Sequence, residues 1–517
     1  MGIKRAAVSA GHEQTAEAAA TILRAGGNAF DAAIGAFFMA CVAEPVLASL
    51  GGGGFLLAHT EADPTRLFDF FSQTPQRKRP VNELDFYPIS VDFGSTRQEF
   101  HIGRGAMATP GCVRGMFAVH RQLGYMPMSE IVQPAVSAAR EGIPVSALQA
   151  YVFALVEPIF LSTPSIRKIY ARPNNPDAVV LEGDLIRLPA FADTLEVLAI
   201  EGDDLFYRGE IAQRIDEMCA DCGHLQLADL QAYEAIVRKP FSINYRNLEI
   251  VTNPPPSAGG ILIGFALKLL NSVDVKALGF GSGEYLHLLA TVMEMTNQAR
   301  VEATIHEGQH YPDTATLLDK DYLQTYHDTI KDRASAHRGT THLNITDKLG
   351  NVVSMTVSNG EGCGHIVPGT DILMNNMLGE EDLNPGGFHR WYPNQRMSSM
   401  MAPTVVHYPD GRVIATGSGG SNRIRTAVLQ ALVNLIDFNF DCSTALNLPR
   451  IHHEAGTLYV EGGFASADLE FLLAQHPNSK VWEHLNFFFG GAHTLIHSES
   501  DMDGSGDPRR GGVFIEV

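Results

Sequence analysis

The chain has 517 residues, 45% hydrophobic and 8% aromatic, with a formal net charge of −20 at neutral pH. This is the composition of a globular protein, and the strong negative balance argues against nucleic acid or an anionic membrane as a partner. Six cysteines in so long a chain form no disulfide framework, and the longest apolar run, Ala32 to Ala43, falls short of the roughly 20 residues that span a membrane.

The start, Met1-Gly-Ile-Lys-Arg, leads into a helical pattern without a signal-peptide core, so a cytoplasmic protein is expected. Thr15 reads as the cap of a helix through Ala25, stopped by Gly26-Gly27. Asn28 or Asp31 starts a second, small-residue helix reaching Ala43. Gly51-Gly52-Gly53-Gly54 then leads into an apolar strand, Phe55 to Ala58. Such a run suits either anion binding or close backbone packing; no Lys-Ser/Thr follows, so it is not a P-loop. Further helices are expected from Val113 to Leu123, through much of Ser129 to Leu205, and from Leu227 to Arg238 before Pro240. Cys219-Ala-Asp-Cys222 is a single CxxC with only His224 nearby, which is too little for zinc, and no metal or cofactor is expected. Asn253-Pro-Pro-Pro-Ser-Ala-Gly-Gly260 is a polyproline-type segment opening an apolar helix, Ile261 to Leu270, and reads as structural. The polar stretch from His306 to Arg338 has four histidines at spacings unsuited to a metal, and reads as a mobile segment.

The most informative stretch follows. Leu343 and Ile345 alternate with His342, Asn344 and Thr346; after the turn Asp347-Lys-Leu-Gly350, Val353, Met355 and Val357 alternate with Ser354, Thr356 and Ser358. This is a hairpin with one apolar and one hydroxyl-bearing face. A bulged turn pairing Thr346 with Val352 keeps the faces separate and sets Thr340 opposite Ser358; the simpler register mixes them. A threonine so placed suits an N-terminal nucleophile, because its own α-amine, with a reference pKa near 8, can accept the hydroxyl proton. That amine exists only if the chain is cut between Gly339 and Thr340, and Gly339 leaves its carbonyl open to attack. The same residues also suit an ordinary hairpin.

Beyond the hairpin come the glycine-rich Asn359 to Thr370, the pair Asn375-Asn376, the segment Arg396-Met-Ser-Ser-Met-Met-Ala-Pro-Thr404, the loop Gly417-Ser-Gly-Gly-Ser-Asn-Arg423 and the closing Gly506-Asp-Pro-Arg-Arg-Gly-Gly512. Together with Thr340-Thr-His342 and the early glycine run, they resemble γ-glutamyltranspeptidases, which are N-terminal-nucleophile hydrolases, along nearly the whole chain. The resemblance implies an α+β fold, a four-layer αββα sandwich, that overrules the roughly three domains suggested by length. It implies self-cleavage into a large portion, 1–339, and a small portion, 340–517, that together make one domain. It further implies acyl transfer by Thr340, with Thr356 and Ser358 positioning its hydroxyl and an oxyanion site in the 417–423 loop. The oxyanion donors are Gly420 with Ser421, or Gly419 with Gly420 under a one-residue shift. Ser398 and Ser399 are the expected carboxylate binders, with Asn359, Asn376, Glu380 and Glu381 as further substrate contacts. The partners implied are a small-molecule amide and the two fragments of the chain, with a homodimer left open.

One departure matters. The family carries an arginine after Asp-Phe that forks onto the substrate's α-carboxylate; here Asp69-Phe70 is followed by Phe71, with Arg77, Lys78 and Arg79 as the nearby substitutes. The acidic run after Asn376 is altered too, to Met377-Leu-Gly-Glu-Glu-Asp382. The expectation is therefore a γ-glutamyltranspeptidase-like amidohydrolase or acyltransferase with altered acyl recognition. An acylase-type amidase and an uncut, non-enzymatic scaffold are the alternatives.

Overall fold

The computed structural model describes residues 5–92, 97–302, 340–384, 386–498 and 502–517. Two antiparallel sheets lie face to face between two layers of helices. Strands are numbered here only for these sheets. The first contains β1 (Ala7–Ala10), β2 (Gly53–His59), β3 (Arg66–Phe70), β4 (Ile236–Arg238), β7 (Thr341–Thr346), β8 (Val352–Ser358) and β13 (Val513–Glu516), in the order β4-β3-β2-β8-β7-β1-β13. The second contains β5 (Phe241–Tyr245), β6 (Leu248–Thr252), β9 (Thr404–His407), β10 (Val413–Gly419), β11 (Gly491–His497) and β12 (Met502–Ser505), side by side in that order. Both sheets contain strands from each side of position 340, so the expected large and small portions share one core. This is the αββα sandwich.

The β7–β8 hairpin runs through the middle of the first sheet in the bulged register, from Thr346 opposite Val352 to Thr341 opposite Val357. Thr340, one residue further, falls opposite Ser358. Leu343, Ile345, Val353 and Met355 join the apolar core under α1 (Glu13–Arg24) and α2 (Ala29–Ala43). All of α2 is buried, and its small residues allow this: a Cβ at Gly35 would lie 2.0 Å from the Cδ1 of Ile22.

The hydroxyl-bearing face is buried as well, against the second sheet. Polar groups there require partners, and most have them, the buried Thr346 hydroxyl being without one among the described residues. Ser354 Oγ donates to the Thr416 carbonyl (3.1 Å), Asn344 Nδ2 to the His493 carbonyl (2.9 Å), and the hydroxyls of Thr416 and Thr494 meet at 2.8 Å. Outside the second sheet lie α3 (Gly259–Leu270), α4 (Gly283–Glu302) and α5 (Arg423–Ile436), which supply the second large apolar cluster.

Two local expectations are corrected. The cap of α1 is His12, whose Nδ1 accepts from Gln14 N; Thr15 instead turns inward and donates to Glu44 at 2.7 Å. The helix expected from Leu227 to Arg238 stops at Ala232, and Ile236–Arg238 becomes the edge strand β4. Arg238 pairs there with the buried Asp69 at 2.7 Å, a tertiary contact that outweighs helical propensity. The Gly51–Gly54 run answers to close packing: Cβ atoms at Gly52 and Gly54 would lie 2.4 Å from the Ser358 carbonyl oxygen and 2.5 Å from that of Thr356.

Candidate active site

Thr340 sits at the end of the central hairpin, almost fully buried, in the wall of a small cavity. Ser358, Ser398, Ser399 and Ser421 add hydroxyls to the lining, Phe71, Met377, Leu383, Met400, Met401 and Ile424 make it largely apolar, and Glu380 and Asp382 are its charged members. No lysine, arginine or histidine is among these residues.

Each wall has a local cause. Behind Thr340, β10 ends at Gly419 and the chain turns sharply, with φ +118° at Gly420 and +53° at Ser421, before α5 begins. Successive residues in such a turn direct neighbouring N–H groups to one side. Gly419 is required by contact, since a Cβ there would lie 2.1 Å from the Thr340 carbonyl oxygen. Arg510 Nη1 donates to that same oxygen at 3.2 Å. The Ser421 hydroxyl donates to Asp382 at 2.5 Å. The Ser398–Met401 wall is held by the Asn253–Gly260 segment: Ser257 Oγ donates to the carbonyls of Ser399 and Met401, Asn253 Nδ2 donates to Met401, and Ala258 N to Ser399. The polyproline segment is thus structural in support of the cavity.

Phe71 fills the place of the expected arginine. Its ring stacks on Phe55 at 5.5 Å, and its carbonyl accepts from Arg396 Nη1 and the Tyr233 hydroxyl. The candidate substitutes stand elsewhere. Arg79 is bound to the carbonyls of Ala220 and Gly223, Lys78 donates to the His389 carbonyl and lies over Trp391, and Arg77 is exposed. Arg396 is spent on Phe71, Tyr233 and the Glu234 carbonyl.

Of the other expected site residues, Ser358, Ser398, Ser399 and Glu380 line the cavity with Thr340, and Gly419 and Gly420 lie behind it. Thr356 does not reach the lining. Asn344 is oriented by the hydrogen bond its Nδ2 donates to the His493 carbonyl, so its Oδ1 accepts from His342 Nε2 (3.0 Å), and His342 Nδ1 then accepts the Thr356 hydroxyl proton (2.8 Å). Burial and the neighbouring His493 hold the His342 pKa down to about 3, so the ring is neutral. Glu381 is exposed, and Asp382 takes its place in the wall, because the short turn Glu381–Leu383 directs the next residue inward. Asn376 accepts from Glu361 N and supports the loop around Gly360 rather than the lining. Asn359 is buried beside it, also outside the lining. Gly339 and the His306–Arg338 segment lie outside the described residues.

Sequence reasoning missed Asp382 and Arg510 as neighbours of Thr340, and it missed Glu44. The Glu44 carboxylate is buried at the end of α2 and accepts from Thr341 Oγ1 at 2.8 Å and from Thr15. A glutamate closing the apolar run from Ala32 to Ala43 was the available signal.

The profile of the family described as Gamma-glutamyltranspeptidase matches residues 15–517. The chain belongs to the γ-glutamyltranspeptidase family. Within it, the glutathione hydrolase proenzyme of Escherichia coli (strain K12) is 31% identical over 525 residues, covering 94% of this chain and 87% of the relative. The acylase ACY 1 proenzyme of Pseudomonas sp. (strain V22) is also 31% identical, over 494 residues, covering 91% and 86%. In fold, the chain superposes on the cephalosporin acylase of Bacillus halodurans with a TM-score of 0.86 at 24% identity, covering 100% of this chain and 96% of that one. For the γ-glutamyltranspeptidase of Helicobacter pylori the TM-score is 0.54 at 27% identity, covering 63% and 91%. Membership makes this γ-glutamyltranspeptidase homologue an enzyme of the N-terminal-nucleophile hydrolase class, an amidohydrolase or acyltransferase. No helix among the described residues is long and apolar enough to cross a membrane.

Proposed function

We propose that the protein is a self-cleaving amidase of acylase type, whose nucleophile is Thr340 and whose acyl group carries no α-carboxylate at the position of Phe71. The observation that carries this reading is the cavity wall: a stacked phenylalanine where the family's guanidinium fork would stand, and no cation among the residues lining the cavity. A substrate carboxylate buried there would lack a charge-assisted partner, a loss of about 1.5–3 kcal/mol per hydrogen bond. The two 31% relatives, one named a glutathione hydrolase and the other an acylase, do not separate the activities by identity, so the wall is the discriminating feature.

In this reading the Thr340 hydroxyl first attacks the Gly339 carbonyl carbon. The peptide nitrogen leaves as the Thr340 amine, and water hydrolyses the resulting ester. In turnover the same oxygen attacks the substrate carbonyl while the α-amine takes its proton. The N–H of Gly420, with that of Gly419 or Ser421, holds the developing oxyanion. The protonated amine then returns its proton to the leaving nitrogen as the C–N bond breaks. Water or an acceptor amine takes the acyl group, and Ser358 borders the nucleophile throughout. Glu380 and Asp382 favour an acyl group or leaving amine with a neutral or cationic end.

The purified chain should separate on a denaturing gel into two fragments, the smaller beginning at Thr340, and Thr340→Ala should remain one inactive chain. Values of kcat/KM should be higher on plain acyl anilides than on a γ-glutamyl anilide, with Phe71→Arg moving the preference toward the latter. A wild type that prefers the γ-glutamyl compound overturns the assignment of the acyl group. Ready cleavage of Thr340→Ala overturns the nucleophile.

A further inference from the structure

Arg510 is a buried cation that the proposed chemistry does not use. It is 3% exposed; its stem lies against Gly491, and its guanidinium stacks on the Phe487 ring at 3.9 Å. Nη1 donates to the Thr340 carbonyl, while Nε and Nη2 have no hydrogen-bond partner among the described residues. Nη1 and Nη2 also lie 3.2 and 3.1 Å from where Cβ atoms at Gly419 and Gly420 would be, so the guanidinium backs the turn on both sides. Such a group is costly to bury without carboxylate pairing, and its position beneath the first residue of the expected small fragment gives it a use.

We propose that Arg510 is a positioning residue: it fixes the Thr340 backbone against the Gly419–Gly420 turn, and its charge keeps the Thr340 α-amine unprotonated near neutral pH. This rests on the reading of Thr340 as an N-terminal nucleophile. By backbone geometry the amine lies roughly 3 Å from the carbonyl oxygen, and Arg510 Nη1 lies 3.2 Å from that same oxygen, so amine and guanidinium are at most about 6 Å apart, within reach of the range in which a like charge disfavours protonation. Other charges around Thr340 are further engaged. Arg423 lies behind the same turn, Arg450 and Asp507 act on Arg510 and pair with each other at 2.6 Å, Glu44 accepts from two threonines, Asp382 accepts from Ser421, and Glu380 lies across the cavity. His342 and His493 beneath the strand are neutral. Burial and Arg423 bring the Arg510 pKa down to about 9, which still leaves it charged at pH 7.

The test is the pH dependence of kcat/KM on the best acyl anilide, for wild type, Arg510→Met and Arg510→Lys. The acid limb should rise by about one pH unit in Arg510→Met and stay near the wild-type position in Arg510→Lys, which keeps the charge. If Arg510→Met does not fold, Arg510→Gln is titrated instead through the pH dependence of amine-specific labelling at the Thr340 terminus, read by mass spectrometry without turnover. Acid limbs or labelling curves that superimpose on the wild type overturn the inference and leave Arg510 a packing residue. A wild-type chain that never cuts at Thr340 overturns the catalytic reading beneath it, whereas a cut, active enzyme indifferent to position 510 overturns only this inference.

Discussion

Replacing Gly419 by alanine introduces one methyl group at the point where β10 touches the nucleophile. The new Cβ would lie 2.1 Å from the Thr340 carbonyl oxygen, 2.9 Å from its carbonyl carbon and 3.2 Å from Arg510 Nη1. Carbon and oxygen tolerate little less than ~3.2 Å, so the Thr340 carbonyl has to retreat by about 1 Å, because the opposing atoms are backbone and cannot rotate away. The hydroxyl and the amine move with it. A displacement of that size in a reacting group costs about 100-fold in rate, and overpacking of a buried position costs about 1–3 kcal/mol in stability. The assay has three readouts: the time course of fragment appearance on a denaturing gel, kcat/KM on the preferred anilide, and the urea midpoint. Gly386→Ala serves as the control, since a Cβ there meets nothing within 4 Å. A folded Gly419→Ala protein that cleaves and turns over within about threefold of wild type would refute the reasoning, because the contact would then not constrain the nucleophile.

Two further outcomes follow from buried polar groups. Thr341→Val removes one of the two hydroxyls holding the Glu44 carboxylate and should destabilise the fold by about 1.5–3 kcal/mol; an unchanged urea midpoint would show the bond to be idle. The pH dependence of stability has a definite sign. Burial holds His342 and His493 down to about 3 and about 4, well below the ordinary value near 6.5, so the unfolded chain binds protons that the folded chain refuses. The contribution is complete above pH 6.5 and is lost progressively as the pH falls toward those folded values. Urea midpoints should therefore decline between about pH 7 and 5, before ordinary carboxylates titrate; a flat profile in that window counts against neutral, buried rings.

The hairpin was readable because its determinants are local. Alternation with period two and the Asp347–Gly350 turn set both the register and the faces, and the structure pairs Thr346 with Val352 accordingly. The glycine-rich turn after β10 was readable for the same reason: few side chains tolerate that backbone. Phe71 was visible as a departure from a motif, although only the structure shows that Arg77, Lys78 and Arg79 are held or exposed away from the cavity. What joins Thr340 to Phe71, Asp382, Ser398 and Arg510 is the stacking of two sheets, which brings together residues tens to hundreds of positions apart. No periodicity encodes such a meeting. The same long-range pairing turned Ile236–Arg238 into a strand, because the edge of β3 and the carboxylate of Asp69 offered partners that a helix could not reach. It also drew Thr15 away from capping and toward Glu44. Local sequence determined the shapes of the pieces; tertiary packing decided which polar groups met, since a buried donor takes whichever acceptor the closed fold brings within about 3 Å.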